Sequence, residues 1–85
     1  MYLIRWQPKA TKQLNRIGDR KQKERILDAV DKLENFPNTS GVKALTNHRY
    51  QYRLRVGKWR VLFNANEDIE IINIEEVKKR DEHTY

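Results

Sequence analysis

The alternation in YQYRLRVGKWRVLF, residues 50–63, interrupted only at Gly57-Lys58, constrains this chain more than any other feature. Successive side chains of a strand point to opposite faces of a sheet, so a period of two on both sides of a Gly-containing dipeptide predicts a β-hairpin with a two-residue turn. A turn at Gly57-Lys58 sets Val56 opposite Trp59 and Arg55 opposite Arg60. One face then carries Tyr50, Tyr52, Leu54 and Val56 with Trp59, Val61 and Phe63. The other carries Gln51, Arg53 and Arg55 with Arg60, Leu62 and Asn64. Like charges directly opposed across two strands destabilise a sheet. The second face is therefore expected to serve something other than stability.

The apolar face needs a cover, and the first half of the chain supplies it. YLIRW (2–6) is composed like a short strand, and Pro8 suits the first turn of a helix in which Ala10, Leu14 and Ile17 recur at four and three. Gly18 ends that helix, and Asp19 is placed to cap a second one. There Ile26, Leu27, Val30, Leu33 and Phe36 make one apolar stripe, charged residues line the other sides, and Pro37 stops it. PNTSG (37–41) is a turn-rich link, and VKALTNH reads as an irregular approach to the sheet. After the hairpin, NANED turns the chain into a third, more apolar strand, IEIINIEEV (69–77), expected in the sheet interior. The order β-α-α-β-β-β predicts an α+β layer sandwich, a helix hairpin on one face of a largely antiparallel four-stranded sheet, as a single domain over residues 1–85. Arg53, Arg55 and Arg60 are then left on the open face.

Several classes of function fall away. The 85 residues contain no cysteine and two histidines, His48 and His83, far apart in sequence, which removes disulfides, thiolate metal sites and cysteine nucleophiles. No cofactor is expected. No apolar run reaches the length of a membrane span or a secretory core, so a cytoplasmic protein is expected.

The net charge of +6 points to an anionic partner, with nucleic acid ahead of an acidic protein and a membrane surface last. Its distribution is more informative. Residues 1–47 mix ten bases with five acids, whereas residues 48–64 hold five bases (Arg49, Arg53, Arg55, Lys58, Arg60) and no acid. A merely solvated sheet surface interleaves the two signs. Three guanidiniums on one face instead make a bidentate phosphate receptor. The tail KKRDEHTY (78–85) follows the last strand directly, so Arg80, His83 and Tyr85 are expected to reach the same cleft, with Arg49, Lys58, Lys78 and Lys79 as further RNA contacts. His83 titrates near neutrality unless perturbed. Tyr50, Tyr52, Trp59 and Phe63 share parity with Leu54 and Val61 and are assigned to the core. His48 is read as a turn or rim residue, and Glu75 and Glu76 as the charged end of a strand.

The strand leading into PKATKQLNRI, the helix ILDAVDKLENFP, the hairpin YRLRVGKWRVLF, the acidic turn NED and the ending VKKRDEHTY together resemble the RelE/ParE superfamily of bacterial type II toxin–antitoxin toxins, closest to the RelE-like messenger-RNA interferases. The resemblance spans nearly the whole chain. It implies a compact fold similar to microbial ribonucleases, acting on mRNA in the ribosomal decoding site without a metal and neutralised by a cognate antitoxin. It implies attack of a ribose 2′-oxygen on the adjacent phosphate, giving a 2′,3′-cyclic phosphate and a 5′-hydroxyl.

Carried over by position, Arg53 and Arg55 match two basic residues that hold phosphate and favour 2′-OH deprotonation. Arg60 matches an arginine that stabilises the pentacoordinate phosphate, Arg80 a tail arginine near the leaving oxygen, and Tyr85 a tyrosine that stacks on a substrate base. The pair at 53 and 55 is lysine in RelE. Arginine is a poor base, so transition-state electrostatics are expected from it and proton transfer from His83. The expected partners are mRNA, the ribosome and an antitoxin with an acidic segment, with the free toxin monomeric. The rival readings are a ParE-like inhibitor of DNA gyrase and a non-catalytic RNA-binding module.

Overall fold

A computed structural model describes residues 1–80. Its strands are β1 (Leu3–Trp6), β2 (Val42–Ala44), β3 (Tyr52–Val56), β4 (Trp59–Asn66) and β5 (Ile71–Lys79), and its helices are α1 (Pro8–Asn15) and α2 (Arg20–Asp31), the latter continued by a 3-10 turn over Lys32–Asn35. The strands form one sheet in the order β1-β5-β4-β3-β2. β1 runs parallel to β5, and the remaining pairs are antiparallel. The class is the expected α+β sandwich, but the described residues form five strands rather than four. The extra one is β2, inside the VKALTNH stretch, where Val42, Lys43 and Ala44 pair with Leu54, Arg53 and Tyr52. Three residues are too few to display a period. No helix is long and apolar enough to cross a membrane.

The helices form where the sequence punctuates them. Pro8 stands in the first turn of α1. Asp19 caps α2, its Oδ1 accepting from the backbone N–H of Lys21 and Gln22 at 2.9 and 3.2 Å. α1 packs along β5 and α2 against β3. Ala10, Leu14, Ile17, Ile26, Val30, Leu33 and Phe36 meet Leu54, Val56, Val61, Phe63, Ile72, Ile74 and Val77 in one buried cluster. Leu27, placed in the α2 stripe by its spacing, is instead 39% exposed.

An irregularity in β5 shapes the other face. Leu62 pairs with Glu76 while the next residue, Phe63, pairs with Ile74, so Glu75 is an extra residue bulged out of the ladder. The parity of β5 therefore changes at this point. Ile72 and Ile74 face the helices before the bulge, and Val77 does so after it. Beyond the end of β1, the edge of β5 is closed by a side chain of α1, with Gln13 Oε1 accepting from the Val77 N–H at 2.7 Å.

Candidate functional site

The hairpin has the register that its turn dictates, with Val56 opposite Trp59 and Arg55 opposite Arg60. Gly57 has a φ of 56°, and Lys58, the second turn residue, is not in the left-handed region. Positive φ at the first central residue alone is the type II′ arrangement, which matches the twist of the strands it joins.

Following the pairing outward from the hairpin gives two cross-strand rows on the open face. Lys43, Arg53, Leu62 and Glu76 form one. Arg55, Arg60 and Lys78 form the next. With strands spaced by about 4.8 Å, the second row sets three cations across a span of about 10 Å and contains no acid. Arg53 and Arg60 are half-buried and Arg55 is exposed. The Nε of Arg53 is buried with no hydrogen-bond partner among the described residues.

The first row ends on Glu76, the buried charged side chain of this face at 4% exposure. Its Oε1 lies 3.2 Å from Lys9 Nζ and 3.6 Å from Lys78 Nζ, and the Tyr50 hydroxyl donates to the carboxylate. Burial alone would push this carboxyl up, but Tyr50, Lys9 and Lys78 more than reverse that and hold it below the ordinary carboxylate value. Burial, and then the facing Glu76 carboxylate, push the Tyr50 phenol up. Tyr50 is thus buried as expected but is not part of the helix-side cluster. The alternation stops at Gln51, whose N–H donates to Asn64 Oδ1 and whose Oε1 accepts from the Ala65 N–H, both at 2.8 Å. That local crossing frees Tyr50 to turn to Glu76.

The other predicted residues fall as follows. Arg80 lies beside the hairpin turn, its backbone N–H donating to the Lys58 carbonyl at 2.6 Å, at the end of the hairpin that carries Arg55 and Arg60. His83 and Tyr85 lie outside the described residues. Lys78 shares the face of Arg60, whereas Lys79 pairs with Trp59, whose face is that of the helices. Arg49 is exposed, with its guanidinium carbon 5.4 Å from the centre of the Tyr50 ring. His48 is a turn residue whose Nδ1 accepts from the Tyr50 N–H at 3.0 Å. Glu75 faces Asn64, with Nδ2 to Oε2 at 3.4 Å. Lys43, Glu76 and Tyr50 are additions that the sequence did not offer as site residues. Among the described residues, no three His, Asp or Glu side chains are grouped as metal ligands.

Comparison with known proteins agrees with this fold. The family model for the ParE toxin of the type II toxin–antitoxin system parDE matches residues 4–83. The archaeal RelE–RelB complex of Pyrococcus horikoshii OT3 contains a chain 26% identical to this one, with a TM-score of 0.80 over 95% of this chain and 97% of the other. The isolated RelE toxin of Escherichia coli shares the fold at 13% identity and a TM-score of 0.80, covering 99% of this chain and 89% of the other. The intact RelBE toxin–antitoxin complex of the same organism aligns at 17% identity and a TM-score of 0.75, over 95% and 99% of the two chains. No curated protein sequence matches significantly. A family match over all but the first three and last two residues, on a fold shared with RelE, places this chain in the ParE toxin family of type II toxin–antitoxin systems, within the RelE/ParE superfamily.

Proposed function

We propose that this toxin is a ribosome-dependent endoribonuclease that cuts mRNA in the ribosomal A site. The observation that carries the reading is the acid-free row Arg55–Arg60–Lys78, with Arg53 in the adjacent row. Cations preorganised across a rigid sheet suit a phosphate that gains charge in its transition state, because the donors need no rearrangement as the charge develops. In the reaction the ribose 2′-oxygen loses its proton and bonds to phosphorus, the bond from phosphorus to the 5′-oxygen breaks, and that oxygen takes up a proton. The products are a 2′,3′-cyclic phosphate and a 5′-hydroxyl. In this proposal Arg53 and Arg55 hold the phosphate, and Arg60 stabilises its extra charge. Arg80 lies toward the leaving oxygen, His83 transfers a proton and Tyr85 stacks on a base. Arg49, Lys58 and Lys78 add backbone contacts to mRNA or ribosomal RNA, while Lys79, on the helix face, is left out of the contact set. No cofactor takes part. An antitoxin with an acidic segment, the counterpart of the RelB chain in the similar complexes, would cover the same basic face.

A second reading, inhibition of DNA gyrase without cleavage, draws support from the family model, which is that of ParE. Primer extension on a defined mRNA, incubated with purified protein with and without programmed ribosomes, separates the two. Cuts inside codons that require ribosomes are the expected result. Intact mRNA in both lanes, together with loss of gyrase supercoiling, would overturn the nuclease.

A further inference from the structure

Glu76 is an expensive residue in an unexpected place. A buried ion pair contributes little net stability, because the desolvation of the charges offsets their attraction, and an apolar side chain opposite Leu62 would fill the same space at no such cost. The carboxylate nevertheless sits diagonally across the ladder from Arg60 and two residues before Lys78. It draws on two cations from different elements, Lys9 from α1 and Lys78 from β5.

These two contacts have different consequences. Lysine is a point charge on a flexible four-carbon stem and does not hold a position by itself. Next to Arg60 and Arg55, an untethered ammonium at position 78 would be repelled and turn to water. Glu76 fixes Lys78 Nζ at 3.6 Å on the open face, while Lys9, at 3.2 Å, balances the carboxylate charge. The tether therefore leaves the positive charge of Lys78 available to a ligand. At 4% exposure Glu76 offers almost no surface of its own to an approaching phosphate.

We propose that Glu76 is a positioning residue of the phosphate site: it holds the Lys78 ammonium in line with Arg55 and Arg60 and offsets their mutual repulsion in the unliganded protein, without touching RNA. The inference rests on the nuclease reading and adds to it a fourth cation of defined position, together with the residue that defines it.

The test measures single-turnover cleavage of mRNA on programmed ribosomes at saturating toxin for Glu76→Gln, Lys78→Gln and the double variant, alongside ribosome affinity and thermal unfolding. Each single variant is expected to lose at least tenfold in the cleavage rate at saturating toxin, and the double variant to be no slower than the slower single one. A merely structural Glu76 would lower the melting temperature and leave the rate of the folded fraction unchanged. That outcome, or losses that multiply in the double variant, overturns the inference. Should Glu76→Gln fail to fold, Lys78→Gln decides alone, since Lys78 is on the surface, and a wild-type rate for it is equally fatal. Wild-type toxin that leaves mRNA intact removes the nuclease reading and this inference with it, whereas wild-type cleavage with an unimpaired Glu76→Gln removes only the inference.

Discussion

The indole Nε1 of Trp59 donates a 2.7 Å hydrogen bond to Oε1 of Gln22, joining the tip of the arginine hairpin to the first turns of α2. The bond is half-buried, and it fixes the end of the sheet that carries Arg60. Gln22→Leu removes the acceptor and leaves the indole N–H wanting. It is expected to cost about 1 kcal/mol, read as a lowered melting temperature. An unchanged melting temperature would mean that solvent replaces the amide fully.

Arg60→Ala is expected to reduce cleavage on the ribosome at least a hundredfold, because one preorganised donor to a developing oxyanion is worth about 3 kcal/mol. Growth arrest by the variant at the wild-type dose would exclude Arg60 from the chemistry.

Tyr50→Phe keeps the ring and deletes the hydroxyl that bonds Glu76. Losing a hydrogen bond to a buried carboxylate is expected to destabilise the fold by about 2 kcal/mol, measurable by urea denaturation. A midpoint equal to wild type would show that the hydroxyl contributes nothing.

Glu76 also predicts how stability depends on pH. Its carboxyl lies below the ordinary value of 4.5 in the folded protein, where burial opposes the charge but Tyr50, Lys9 and Lys78 favour it more. In the unfolded chain it returns to that ordinary value. The associated stability is present above it and is lost as pH falls through the folded value. Acid unfolding of Glu76→Gln should therefore be less steep than that of wild type in this range, and an identical slope would contradict the assignment.

Gly57→Ala places a Cβ on a residue with φ of 56°. The nearest group such an atom would meet is the Arg25 guanidinium at 3.5 Å, an ordinary contact, so the penalty is one of backbone conformation. A loss of about 1 kcal/mol is expected. Gly57→Asn should recover part of it, since asparagine accepts a positive φ in such turns more readily than alanine does. Equal stability of the three proteins would argue for a different turn.

The parts of this molecule that were legible in its sequence are those in which a local signal sets the frame. Gly57 pins the turn, the turn pins the register, and the opposition of Arg55 and Arg60 follows without tertiary information. Asp19 could be recognised as a cap because its partners are two and three residues away. Illegibility has equally local causes. β2 exists only because β3 offers it a partner. Tyr50 changes face because Gln51 bonds to Asn64 and Ala65, thirteen and fourteen residues downstream. Glu76 reads as one of two acids at the end of a strand, and only the bulge beside it decides which way it points.

That bulge divides β5 into two reading frames. Continued without it, the alternation of Ile72 and Ile74 would carry Glu76 and Lys78 beneath the helices and turn Val77 to water. Leaving Glu75 out of the ladder reverses all three assignments. The strand therefore acts as a scaffold up to Ile74 and as a working surface from Glu76 onward, and the two segments can vary independently. New residues at 76, 78 and 80 would change what the sheet presents to a ligand while Ile72 and Ile74 keep the core. A single-residue deletion at Glu75 would leave a regular ladder in which Glu76, Val77 and Lys78 keep their faces, whereas a strand regularised with Glu75 retained would drive a carboxylate and an ammonium into the interior.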